Sequence, residues 1–166
     1  EARAVAKLER RALAGCDAVV LVSDAEADVL GPDGRDVVSL PNGVDADYFS
    51  PPPDRTNPDR KLVFTGTMSY KPNAQGVCWF IQHVWPELME KFPSRQLDVV
   101  GRDPTDQLLQ LTGVDGVTVT GAVPDVRPYL AGAKIAICPL KIARGIQNKV
   151  LEAMAMARPV IASPQA

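Results

Sequence analysis

The sequence predicts an α/β fold built on a doubly wound, mostly parallel sheet of Rossmann-like type. Three observations carry that expectation. From residue 61 onward, short apolar runs alternate with helix-forming segments. The apolar runs are continuous, as in strands covered on both faces. The connections between them are short, which suits neighbouring strands joined by helical crossovers.

The elements follow in order. "EARAVAKLERRALA" (1–14) combines strong helix formers with helical spacing of apolar residues, and Gly15 ends it. "DAVVLVS" (17–23) reads as a strand buried on both faces. Ser23 can cap the helix "DAEADVL", with Glu26 three residues on as in a capping box. "DVVSLP" reads as another strand. Residues 42–60 change texture: Pro51, Pro52, Pro53 and Pro58, an Asn-Gly turn and scattered polar residues indicate an interdomain linker. "KLVFTG" (61–66) begins the alternating half as a strand. The run 73–92 predicts an amphipathic helix with Val77, Phe80, Ile81, Val84 and Leu88 on one stripe, kinked or interrupted at Pro86. Strands are then expected at 96–101, 117–121, 134–140 and 158–163. Helices are expected from "DPTDQLLQL", at 124–133 and at 147–157.

Composition bounds the chemistry. The 166 residues are 46% apolar and 23% charged, and 18 basic against 20 acidic residues leave a formal charge of −2. That balance offers no electrostatic case for a nucleic-acid partner. With one histidine, His83, a metal site holding several histidines is excluded. His83 is expected near the apolar stripe of its helix, in a structural role; Cys78, five residues away, does not share its face. Three widely spaced cysteines, Cys16, Cys78 and Cys138, read as reduced, buried thiols of a cytosolic protein. No apolar run approaches the ~20 residues of a membrane span.

In an open α/β sheet, ligands bind beyond the carboxyl ends of the strands. "TGTMSYKPN", "GRDPT", "GAVPD" and "PLKIARGIQNK" fall there. The last is the most informative. Gly145 allows close backbone approach, and the helix after it presents N–H groups and a partial positive charge. Lys141, Arg144 and Lys149 add cations, and together these suit a phosphate or diphosphate. Glu152, about one turn into that helix, can accept two hydroxyl hydrogen bonds, as a ribose diol offers. The plain alternative is a turn glycine, a solvated basic face and a glutamate facing water or a lysine. Lys71 and Arg102 can reach the same anion or stand solvated. "TGTMSYKPN" is neither a dinucleotide fingerprint nor a P-loop.

These segments resemble retaining glycosyltransferases of the GT-B type, glycosyltransferase family 4. "LPNGVDADYF" (40–49) is similar to the segment closing that family's N-terminal domain. "VFTGTMSYKPN" is similar to the first strand and turn of its donor domain, and "GIQNKVLEAMAMARPVIAS" (145–163) to its donor-site helix and strand. The last variant looks most like bacterial sugar transferases of exopolysaccharide assembly. The resemblance implies hexosyl transfer from a nucleotide-diphosphate sugar with retention of configuration. It implies that Glu152 holds the ribose, that the Gly145 and Ile146 backbone meets diphosphate, and that Lys71 neutralises the leaving group. Gly66, Thr67, Arg102, Val123, Asn148 and Lys149 complete the expected donor site, with base contacts near Arg102 and Val123. Three positions depart from the family pattern, one of them Ala157, where glycine is usual and which bears only on the turn geometry. Arg144 stands where many members have a sugar-binding glutamate, and Thr67 where many have a phosphate-binding arginine; Arg144 is expected to supply the missing cation. No metal or cofactor is implied.

The resemblance sets boundaries of 1–44 for the end of an N-terminal acceptor domain, 45–60 for a linker and 61–166 for a C-terminally incomplete donor domain. The chain is therefore expected to be a fragment that does not transfer sugar alone. The full-length protein is expected in the cytoplasm, at the inner face of the membrane through peripheral association, with a sugar or lipid-linked acceptor. A non-catalytic nucleotide-binding or regulatory module and a GT-B-shaped sugar-nucleotide epimerase are the alternatives.

Overall fold

The structure, a computed structural model, describes residues 2–30, 36–53, 61–143 and 145–166. The chain divides into two compact units, Glu1–Asn42 and Gly43–Ala166. The first holds α1 (Ala2–Ala14), β1 (Ala18–Leu21), α2 (Asp24–Leu30) and β2 (Asp36–Ser39), with β1 and β2 paired in parallel. Ser23 caps α2, its Oγ accepting from the Glu26 N–H at 3.3 Å. Two expectations fail here. The strand expected to be buried on both faces is not, with Val20 60% exposed and Val38 of its partner strand 52% exposed, because among the described residues of the unit no second apolar layer packs over that side. Cys16 is exposed rather than buried, since it lies in the loop between α1 and β1, outside any packed layer.

The second unit carries β3 (Lys61–Thr65), α3 (Lys71–His83), α4 (Trp85–Lys91), β4 (Gln96–Val100), α5 (Asp106–Gln110), β5 (Val117–Gly121), α6 (Arg127–Gly132), β6 (Ile135–Cys138), α7 (Asn148–Ala155) and β7 (Val160–Ala162). Its five strands are all parallel, in the order β5-β4-β3-β6-β7. The chain moves outward from β3 to β5, then returns through α6 to the other side of β3. The order therefore reverses between β3 and β6.

The sheet is covered on both faces, as the continuous apolar runs require. On one face Leu62, Phe64, Leu97 and Val99 pack with Val77, Phe80, Ile81 and Trp85 of α3 and α4 and Leu108 of α5. On the other, Val63, Val100 and Ala136 meet Leu130 of α6 and Ala153 and Met156 at the end of α7. Neighbouring residues of β3 thus serve opposite layers, by the two-residue period of a strand. Each fully buried large apolar side chain stabilises the unit by roughly 1.5–3 kcal/mol relative to exposure.

The single helix expected over 73–92 is two helices that meet at Val84. Pro86 lacks an N–H, and its ring clashes with the carbonyl four residues back, so it is accommodated only at the second position of a new helix. The break sends Trp85 inward, where its Nε1 donates to the Asp115 carbonyl at 2.9 Å. His83 is exposed, not on the apolar stripe; its ring stacks on Trp79 and bonds the Trp79 carbonyl at 3.0 Å. α5 begins at Asp106, later than expected, because Thr105 caps it by accepting from the Leu108 N–H. The thiols of Cys78 and Cys138 are buried.

Residues 43–53 pack as part of the second unit. The Asp45 carboxylate accepts from the Asp47 and Tyr48 N–H groups, and Phe49 joins the second core layer. Arg127 stacks 3.9 Å over the Tyr48 ring and pairs with Asp125 at 2.8 Å.

Gly76 lies inside α3, where glycine ordinarily costs helix stability. A Cβ there would stand 2.7 Å from the Pro139 carbonyl oxygen and 3.2 Å from Leu140 Cδ2, so the missing side chain lets α3 lie against the end of β6. Gly76→Ala is expected to destabilise the second unit by about 1–3 kcal/mol despite the better helix propensity. The urea midpoint checks it, and an unchanged or raised midpoint contradicts it.

Candidate functional site

At the reversal of strand order, the carboxyl ends of β3 and β4 and the start of α7 enclose a cleft of about 630 Å³. Its walls come from four connections. The β3–α3 turn brings Gly66, Thr67, Tyr70 and Asn73; the β4–α5 loop brings Gly101 and Arg102; the β5–α6 loop brings Val123 and Val126. The β6–α7 loop and first turn of α7 bring Ile146, Gln147, Asn148, Lys149 and Glu152.

Missing side chains allow this convergence. A Cβ on Gly101 would run into the Gly66 carbonyl, and a Cβ on Gly66 would lie 2.7 Å from Asn73 Nδ2. The parallel ladder continues past the strand ends: the Gly66 N–H donates to the Val100 carbonyl at 3.0 Å and the Met68 N–H to the Arg102 carbonyl at 2.9 Å. Gly145 adopts φ 65°, a left-handed conformation that favours glycine, and turns the chain toward α7. Gln147 stands at the N-cap of α7, but its side chain reaches back toward the Gly145 carbonyl at 3.5 Å instead of capping the helix. The positive end of α7 therefore faces the cleft without a side-chain cap.

Lys149 and Glu152 are the electrostatic centre. Burial pushes the Lys149 ammonium below the ordinary lysine pKa, with opposing raises from Cys138 and Glu152. Burial pushes Glu152 above the ordinary carboxylate range, partly offset by Lys149. Each charge is costly here, so each favours a ligand that compensates it. Lys149 Nζ donates to Asn73 Oδ1 at 2.7 Å and stands 5.2 Å from the centre of the Phe64 ring. Arg102 is mostly exposed, with Nε 3.5 Å from Thr67 Oγ1 and 3.7 Å from Asp103.

Of the residues singled out from sequence, Gly66, Thr67, Arg102, Val123, Ile146, Asn148, Lys149 and Glu152 line this cleft. Gly145 adjoins it through Ile146. Lys71, the first residue of α3, is exposed and outside the cleft lining. Lys141 also points elsewhere, its Nζ lying 4.6 Å over the Trp79 ring. Arg144 lies outside the described residues. Asn73 was missed. Its signal was a polar side chain in the first turn of a helix, three and four residues before Gly76 and Val77 on the buried side. Among the described residues no group of three His, Cys, Asp or Glu side chains is placed to hold a metal ion. Nor, among them, is any helix long and apolar enough to cross a membrane.

Residues 59–166 match the family described as Glycosyl transferases group 1. Over 137 residues the chain is 31% identical to a phosphatidyl-myo-inositol mannosyltransferase of Mycobacterium leprae, covering 78% of this chain and 36% of that protein. The chain thus spans about a third of the length of that curated relative. Among solved structures, it resembles the pneumococcal O-GlcNAc transferase GtfA in complex with UDP and GlcNAc, with a TM-score of 0.69 at 15% identity over 90% of this chain and 30% of that one. It also resembles Anabaena HepE in complex with UDP, with a TM-score of 0.70 at 15% identity over 91% of this chain and 46% of that one. At such identities these likenesses establish the fold.

The raised pKa of Glu152 makes stability depend on pH. The folded state holds that proton more tightly than the unfolded chain, so the associated stability is present below the unfolded value of 4.5 and is lost as pH rises through the higher folded value. Glu152→Gln removes the loss. The variant is expected to gain stability relative to wild type between pH 4 and pH 7, read from urea midpoints at both; a constant difference contradicts the sign.

Proposed function

The chain belongs to the Glycosyl transferases group 1 family, and from that premise we infer that its second unit binds the donor, a nucleotide-diphosphate sugar, for a retaining hexosyl transfer. The observation that carries this reading is the placement of two half-buried groups, Lys149 and Glu152, on the first turns of α7, at the carboxyl edge of the parallel sheet. A cation beside an open helix start suits diphosphate. A carboxylate one turn further along suits the ribose diol. Both groups line one cleft, whose volume suits a ligand of nucleotide size.

The proposed chemistry follows from this placement. The diphosphate lies against the Gly145–Ile146 backbone, the start of α7 and Lys149, with Arg102 at the rim. As the bond between sugar and diphosphate breaks, negative charge grows on the leaving oxygen, and these fixed groups stabilise it. The acceptor hydroxyl attacks from the face the diphosphate leaves and passes its proton to the departing diphosphate oxygen, which retains the configuration. Lys71 would join from the rim through a change in its side-chain rotamer, and Arg144 would add a cation from the β6–α7 loop. No metal is assigned to this chemistry. The HepE and GtfA structures contain UDP, which makes UDP and its sugars the first candidates. The 166-residue chain is proposed to bind the donor without turning it over, because it spans only about a third of the length of the curated relative it matches.

Titration with UDP, GDP and their sugars tests the reading. At least one is expected to bind, and Glu152→Ala is expected to weaken it about tenfold or more, the cost of losing charged hydrogen bonds to the diol. Absence of binding to any of them by the folded protein supports the non-catalytic module instead. The pH profile gives a second measurement. Acceptance of the diol needs the ionised carboxylate, so affinity should fall on acidification at a pH above the exposed-glutamate range, and Glu152→Gln should flatten that fall.

Arg144→Ala is expected to weaken nucleoside diphosphate binding several-fold by removing a cation near the diphosphate. Unchanged affinity in calorimetry removes Arg144 from the site.

A further inference from the structure

We propose that Asn73 is a positioning residue that holds the Lys149 ammonium at the floor of the cleft without neutralising it, so that its charge is kept for the donor's diphosphate. The proposal rests on the reading of this cleft as a donor site and deepens it.

The geometry is specific. Asn73 is 5% exposed and lies in the first turn of α3. Its amide bridges two other segments: Nδ2 donates to the Thr67 carbonyl at 2.9 Å, and Oδ1 accepts from Lys149 Nζ at 2.7 Å. The orientation is unambiguous. A flipped amide would set its NH₂ against an ammonium and its oxygen against a carbonyl oxygen, leaving both ends repelled. Gly66 makes room, since any side chain there would collide with the amide. One amide therefore ties the β3–α3 turn to the start of α7, the two segments the diphosphate has to touch together.

The chemistry of the amide matters as much as its position. Among the described residues no carboxylate forms an ion pair with Lys149. Its surroundings are the Asn73 oxygen, the Phe64 ring and the Cys138 thiol, with Glu152 acting at longer range. An aspartate at 73 would place a full negative charge at hydrogen-bond distance and satisfy the ammonium permanently. The amide orients the charge and leaves it costly, which is the condition under which an arriving phosphate gains most.

Two substitutions separate this role from simple packing. Asn73→Asp is expected to raise the Lys149 pKa and Asn73→Ala to lower it further, followed by the titration of the lysine ¹³Cε or ¹⁵Nζ NMR signal in the ligand-free protein. A purely structural role does not move that pKa in opposite directions. Both variants are expected to weaken UDP or GDP binding about tenfold. In a Lys149→Gln background, Asn73→Ala should cost little more, because it acts through Lys149. If Asn73→Ala fails to fold, Asn73→Ser removes the same contact. Lys149 titrating identically in both variants, or full additivity of the two losses, overturns the proposal. If wild type binds neither nucleotide while the Lys149 pKa still moves both ways, the donor reading falls and the positioning of Lys149 stands.

Discussion

The second unit depends on one constraint: a parallel sheet has to be covered on both faces, because parallel strands are joined only by crossovers that run over the sheet. β3 shows the consequence within five residues, Leu62 and Phe64 serving one apolar layer and Val63 the other. Covering the second face obliges the chain to return past its first strand. The return opens a crevice between β3 and β6, where the loops on either side diverge. Polar groups gather there because strand ends and helix starts leave backbone donors exposed at that edge.

Close packing then sets what the crevice can hold. Gly66, Gly76 and Gly101 are places where backbone or a buried amide occupies the space of a side chain. Gly76 brings α3 down onto the end of β6, and Gly66 lets Asn73 reach across to Lys149. The cleft is thus assembled from four connections distant in sequence and held by short contacts that tolerate little change in volume.

Within it, electrostatic strain and ligand preference are the same fact. Burial opposes ionisation of both Lys149 and Glu152, and the pair relieves only part of that cost. Apolar residues in their place would pack more comfortably. A ligand carrying an anion at one end and hydroxyls at the other would relieve both penalties at once.

The sequence by itself determined the fold class, since apolar runs alternating with helical segments and short connections admit few other topologies. It also singled out the segment "GIQNKVLE" as a candidate, because a glycine ahead of a helix and a lysine and a glutamate along it are legible in order, and Lys149 and Glu152 line the cleft. It misjudged features that depend on what lies opposite. Cys16 read as buried from the number and spacing of the cysteines and Val20 from the apolar run around it, but both are exposed. Lys141 read as a phosphate ligand, but the Trp79 ring holds it elsewhere. Only the tertiary structure decided that Asn73, 76 residues from Lys149, meets it at 2.7 Å. Periodicity specifies which face of a helix is apolar, whereas a hydrogen bond between two helices depends on how closely their backbones approach, and here a glycine in a third segment sets that distance.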